Sequence, residues 1–169
     1  MLTESEKQIF EKLKEGLMQV IDVDIERLGR EDTAIEFLEK NISYLIDQYG
    51  MSVSRQQQIK IMYYVVRDFV GMNEIEPLLR DPYIEDIGLD GTGIPIYIVH
   101  QKYGSMKTNI TISDDKVLRE FIIKLSERCN RYISYAEPLL DGSLPDGTRV
   151  QASIASDVTT RGPTFSIRK

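Results

Sequence analysis

Apolar residues recur at helical spacing over the first seventy positions, then switch to the alternation of strands. In residues 5–18, Ile9, Phe10, Leu13 and Leu17 share one helical face. Residues 33–49 repeat this with Ile35, Leu38, Ile42, Leu45 and Tyr49, and Gly50 follows as a C-cap. Ser54 opens a third helix, with Gln57 placed to complete a capping box. Its apolar face is expected through Ile59, Met62, Val66, Phe69 and Val70, and Gly71 ends it. These three helices predict a small bundle. Between the first two, VIDVDIERL alternates from Val20 to Ile25; it suits a short strand or an extended linker and is read as linker.

From Asn73 the pattern changes. NEIEPLLRDP predicts a short helix with Ile75, Leu78 and Leu79 on one face and Pro82 as its stop. IEDIGLDG then reads as a strand running into an Asp90-Gly91 turn. PIYIVH and SMKTNITI follow as two more strands, and the spacing implies an antiparallel meander. Asp114 caps a helix to about Asn130, with Leu118, Phe121, Ile122, Leu125 and Cys129 inward. ISYAEPLL, LPDGTRVQASI and TFSIRK complete the chain as strand-like runs, with the turn before Arg149 made by Pro145, Asp146 and Gly147. The expected fold class is α+β: a helical N-terminal subdomain over 1–71 and an α+β subdomain over 72–169.

Composition narrows the function. With 169 residues, 41% of them hydrophobic and 28% charged, the chain can build a core and is not broadly disordered. Its 21 basic against 27 acidic residues give a net charge of −6, a poor match to nucleic acid. The charge is uneven: residues 1–50 hold 12 acids and 6 bases, whereas residues 142–169 hold 2 acids and 4 bases, all four at or after Arg149. That distribution suggests a local basic site for a small anion. A single cysteine allows no disulfide within the chain and fits a reducing compartment. There is no membrane-length apolar run and no signal-peptide layout at the start, so a soluble cytoplasmic protein is expected.

Few side chains suggest chemistry. His100 is the only histidine, which excludes a multi-histidine metal site; it reads as a polar strand end, since no orienting partner for catalysis is visible. Cys129 lies on an apolar helix face and reads as a buried structural thiol. Glu85, Asp86 and Asp90 could suggest a cation site, but neighbours on a strand point to opposite faces, so no metal site is expected. Neither GxxxxGK[ST] nor GxGxxG occurs. What remains is Arg149, Arg161 and Arg168. An arginine on a rigid strand suits phosphate oxygens through its bidentate fork. On the residues alone, three ordinary solvated strand-end arginines serve equally well.

The run from VVRDFVGMNEIEPLLRDPYIEDIGLDG through PIYIVHQKYGSMKTN to LLDGSLPDGTRVQASIASDVTTRGPTFSIRK resembles the N-terminal domain of the type II/type IV secretion ATPase superfamily. It looks most like the archaeal branch that drives type IV pilus-like machines and archaella. The resemblance covers residues 64–169; residues 1–63 match only as the helical N-terminal part such ATPases often carry. It implies a hexameric, two-domain ATPase whose C-terminal motor domain, with Walker A and B motifs, follows the IRK segment and is absent here. It also implies a mixed, PAS-like sheet with flanking helices. ATP and Mg would be held mainly by the motor domain, so no cofactor and no hydrolysis are expected of this chain alone. Arg149 in PDGTRV, Arg161 in TTRGP and Arg168 in FSIRK would reach the nucleotide phosphates, with Arg168 brought beside Arg149. Implied partners are the chain's own motor domain, five further copies in a hexamer and a polytopic membrane platform protein at the inner face of the cell membrane. Leu89 stands where relatives often carry cysteine. The competing expectation is a stand-alone PAS-like adaptor that binds a ligand or a protein.

Overall fold

The computed structural model describes residues 2–20, 31–154 and 161–169. The chain divides into two compact units, Met1–Glu76 and Pro77–Lys169. The alternating stretch read as linker lies outside the described residues beyond Val20.

The first unit has three helices: α1 (Glu4–Val20), α2 (Glu31–Gln48) and α3 (Arg55–Phe69). They share one cluster in which Phe10, Leu13, Leu17, Leu38, Ile42, Leu45, Ile61 and Val65 are buried. Gly16 brings α1 close to α2: a Cβ there would lie 3.2 Å from both Leu45 methyls and 2.6 Å from the Tyr49 hydroxyl. The ends of the helices follow their local chemistry. Ser54 and Gln57 form the reciprocal capping box, and Gly50 takes a φ of +58° beyond α2. A second box opens α1. The Thr3 N–H donates to Glu6 Oε2 at 2.8 Å, and the Glu6 N–H donates to Thr3 Oγ1 at 3.3 Å. Lys60 on α3 donates to the other oxygen of the buried Glu6 at 3.0 Å, which ties the start of α1 to α3.

The buried face of α3 is not the expected one. Ile61 and Val65 are fully buried, whereas Ile59 is 62% exposed and Met62, Val66, Phe69 and Val70 are half-buried. Nearly every turn of this helix carries apolar residues, so spacing supports two faces. The β-branched pair at 61 and 65 fills the space between α1 and α2, and the rest flanks it.

After Phe69 come a 3-10 turn at Asn73–Ile75 and a short helix α4 (Glu76–Arg80). The second unit then builds a six-stranded sheet from β1 (Ile84–Leu89), β2 (Pro95–His100), β3 (Gly104–Thr111), β4 (Leu139–Ser143), β5 (Arg149–Ser153) and β6 (Thr164–Arg168), with helix α5 (Asp115–Arg128) between β3 and β4. The strand order is β3-β2-β1-β6-β5-β4. The architecture is thus α+β. The resemblance implied a mixed sheet; instead every pairing is antiparallel. The reason lies in the connections: β1 to β3 and β4 to β5 are joined by short hairpins, which only antiparallel strands permit, and β6 enters between β1 and β5 opposed to both.

One sheet face is buried. Ile98, Ile87, Ile167 and Val150 lie in register across it, and Phe165 packs on Phe121 of α5 with ring centres 5.3 Å apart. Leu118, Phe121, Ile122 and Leu125 form the inward face of α5, and Asp114 caps it by accepting from the Lys116 N–H. A β-bulge at Glu85 sets the phase of β1: Ile84 pairs with His100, but Asp86 already pairs with Val99. Ile84 and Ile87 are therefore both buried despite their odd spacing, and Asp86 turns to the other face.

Candidate functional site

The site is built on the sheet face opposite α5. A tight turn precedes β5: the Gly147 N–H donates to the Leu144 carbonyl at 2.9 Å, the Thr148 N–H donates to Asp146 Oδ1 at 2.9 Å, and Gly147 has a φ of +91°. The Leu144 N–H then closes the turn on the Thr148 carbonyl at 2.8 Å. Arg149 is the next residue, so its Cα position is fixed by backbone on both sides.

Strand register places Arg149 directly opposite Arg168 on β6, and Arg168 opposite Asp86 on β1. Asp86, Arg168 and Arg149 thus stand in a row across three strands. Arg168 Nε donates to Asp86 Oδ1 at 2.8 Å, and Arg149 Nη2 lies 3.9 Å from Asp141 Oδ1. Both arginine side chains are mostly exposed, at 75% and 69%. The hydrogen bond it donates to Asp86 raises the pKa of Arg168 above its ordinary value, so that guanidinium is charged at any working pH.

Two like charges on directly opposite positions repel. Between exposed side chains in water the cost is below about 1 kcal/mol. An exposed ion pair returns about 0–1 kcal/mol, so Asp86 and Asp141 roughly offset it. The row is close to neutral as it stands, but its nitrogen donors are not used up. A guanidinium has five N–H donors, and the contact with Asp86 engages the Nε of Arg168. The side chains lean apart, Arg168 toward Asp86 on β1 and Arg149 toward Asp141 on β4, and the exposed donors each keeps can bond the oxygens of an anion.

Arg161 is not part of this row. It lies before β6, across the Gly162-Pro163 turn, at the end of the strand remote from Arg168. A five-residue strand spans about 13 Å, so the backbone of Arg161 stands a strand length from that of Arg168.

The other candidates fall into structural roles. His100 Nδ1 accepts from the Lys102 N–H at 3.0 Å, and its ring lies against Tyr83 and Tyr103, so it organises the β2–β3 turn. Cys129 is buried beneath β4, where a Cβ on Gly142 would lie 2.9 Å from its own; burial pushes its thiol pKa up. The alternation that separated Glu85 from Asp86 is interrupted by the bulge, and the bond to Arg168 is what commits Asp86. Leu89 is fully buried. Among the described residues, no group of three or more His, Cys, Asp or Glu is placed to hold a metal ion, and no helix is long and apolar enough to cross a membrane. A shallow groove of about 430 Å³ lies toward the other end of these strands, lined by Leu89, Leu139, Asp141, Gln151, Thr164 and Ser166 among others, and includes neither Arg149 nor Arg168. Sequence reasoning did not single out Asp86 or Asp141 as arginine partners; pairing across strands requires the register.

No family model matches the chain. It is 32% identical over 158 residues to Uncharacterized protein MJ1288 of Methanocaldococcus jannaschii, spanning 94% of this chain and 62% of that protein. It is 39% identical over 119 residues to Uncharacterized protein MJ0900 of the same organism, spanning 70% of this chain but 21% of that one. Over 122 residues it is 32% identical to Uncharacterized protein MJ0781, 16% of whose length is matched. The chain therefore spans less than two thirds of the length of each of these relatives. Among solved structures it is similar to the VirB11 ATPase from the Brucella suis type IV secretion system in complex with sulphate, with a TM-score of 0.45 and 22% identity over 56% of this chain and 29% of that one.

Proposed function

We propose that this chain is the N-terminal domain of a hexameric secretion or type IV pilus-like assembly ATPase, and that it closes on ATP bound to a motor domain that follows it. The resemblance of residues 64–169 to that superfamily supports the reading. The observation that carries it is the Arg149–Arg168 pair, set side by side on one exposed sheet face by strand register. In this reading the three helices form the N-terminal bundle and the second unit is the PAS-like sheet. In this reading the protein works at the inner face of the cell membrane through a polytopic platform protein.

The donor chemistry fits phosphate oxygens: two permanently charged planar forks on adjacent strands. Mg belongs with the nucleotide on the motor domain. Arg168, held in place by Asp86, and Arg149, held by its turn, supply the closed state with charge-assisted hydrogen bonds. Such bonds contribute about 1.5–3 kcal/mol each before ordering costs and solvent screening. Even the lower end, doubled, biases an open–closed equilibrium by more than tenfold. When hydrolysis removes the terminal phosphate, the arginines lose part of that contact and the domain swings open. Arg161 serves as a separate contact at the far end of β6.

A direct test uses the purified chain and its gene. The chain should hydrolyse no ATP, and GxxxxGK[ST] should follow within about a hundred codons of Lys169 in the reading frame. Turnover by the purified chain would refute the reading. A second reading, a stand-alone PAS-like adaptor, is favoured by one observation: the matched segment makes up 62% of one relative but 21% and 16% of two others, so it occurs in chains of very different extent. A stop codon after Lys169 would decide for the adaptor.

A further inference from the structure

Asp115, the first residue of α5, is bonded to the side chains of two residues, one of which holds a distant carbonyl through its guanidinium and the other through its own backbone N–H. Its Oδ1 accepts from the Thr92 hydroxyl at 3.2 Å, and its Oδ2 accepts from Arg119 Nε at 2.7 Å. Arg119 Nη1 donates to the Ile154 carbonyl at 2.6 Å, and its guanidinium lies 5.7 Å from the centre of the Tyr135 ring. The Thr92 N–H donates to the Arg161 carbonyl at 2.9 Å. The carbonyls of Ile154, just past β5, and of Arg161, just before β6, therefore lead back to one carboxylate.

The approach is close enough to demand glycine at two places. A Cβ on Gly91, where φ is +140°, would lie 2.5 Å from the Arg161 carbonyl oxygen. A Cβ on Gly162, where φ is +90°, would lie 2.7 Å from Thr92 Oγ1 and 2.8 Å from Asp115 Oδ1. An i,i+4 pair that served only its own helix would need neither contact. Arg119 is also only 20% exposed, unlike the Arg149 and Arg168 side chains, so its bonds are poorly screened by solvent.

We propose that Asp115 is a positioning residue for Arg161: through Thr92 it fixes the backbone from which the Arg161 guanidinium reaches out, while through Arg119 it holds the end of β5, independently of the Arg149–Arg168 pair at the other end of β6. The clamp does not depend on what anion those arginines meet, so it can stand or fall apart from the nucleotide reading.

Amide hydrogen exchange by NMR on the whole chain tests it, because each end of the sheet offers a defined reporter. The Thr92 amide binds the Arg161 carbonyl; the Lys169 amide binds the Glu85 carbonyl at 2.9 Å, beside Arg168. Asp115→Ala should raise exchange at Thr92 at least tenfold and leave Lys169 within twofold. A nitroxide at Arg161→Cys should gain mobility in the same background, and one at Arg168→Cys should not; the buried Cys129 stays unlabelled. Thr92→Val, which removes only the hydroxyl, should give the same local pattern at smaller size, and it decides the matter if Asp115→Ala does not fold. Parallel acceleration at Thr92 and Lys169 would mean a general loss of stability and would overturn the proposal. So would a Thr92 amide that exchanges at the wild-type rate in the folded variants.

Discussion

Within each of the two units, side chains are fixed by different means. In the helical unit, side-chain volume decides: α3 could bury either of two apolar faces, and Ile61 and Val65 go in because they fit against Leu13, Leu38 and Ile42. In the sheet unit, backbone decides: hydrogen-bonded register, a bulge at Glu85 and a glycine turn at Gly147 fix where Asp86, Arg149 and Arg168 stand before any side chain makes a contact. A site that must hold two exposed charges in place is better served by the second means. Exposed side chains contribute little packing of their own to fix them.

The largest effect expected from this contrast is in the helical core. Ile61→Ala should cost about 2–5 kcal/mol in denaturant unfolding, whereas Ile59→Ala two residues away should stay within about 0.5 kcal/mol. Equal costs at the two positions would mean that α3 is rotated from the face described. Next comes a backbone position in the sheet unit. Gly162→Ala forces a side chain into a left-handed conformation against Thr92 and Asp115, and should cost about 1–3 kcal/mol by the same assay.

A smaller effect depends on pH. The Thr3 N–H first, and then Lys60, hold the Glu6 carboxyl below its ordinary value of 4.5. A carboxyl whose folded pKa is depressed contributes stability that is full above that ordinary value and lost as pH falls through the folded one. Glu6→Gln should therefore lower the melting temperature at about pH 7, by a gap that narrows as the pH falls below 4.5. A gap that widens toward acid would contradict the assignment. The smallest effect concerns stability at the site itself: Arg149→Ala should change unfolding free energy by no more than about 0.5 kcal/mol, since the side chain is exposed and its ion pair long.

Much of this was legible in the sequence where one local rule had no competitor. Asp114, Gly50 and the Ser54–Gln57 pair mark helix ends through their own chemistry, and the inward face of α5 is the only apolar stripe that helix has. The phase of α3 was not legible, because two stripes competed and the winner depended on α1 and α2. The T-x-x-E pattern of Thr3 and Glu6 is a second capping box written in the local sequence. The bulge at Glu85 left only the odd spacing of Ile84 and Ile87 as its trace. For the site, the turn chemistry before Arg149 could be read directly. The carboxylate partners of the arginines could not, because Asp86 lies 82 positions from Arg168 along the chain and only register joins them.

The central claim is that Arg149 and Arg168 act together on the phosphates of a nucleotide held by another domain. The most direct measurement is ATP turnover by the full-length gene product carrying Arg149→Ala or Arg168→Ala, with melting temperature followed in parallel. Each variant should lose at least about tenfold in turnover, as expected when a charge-assisted contact worth about 1.4 kcal/mol or more is removed, and should melt as the wild type does. Wild-type turnover in both variants would contradict the account.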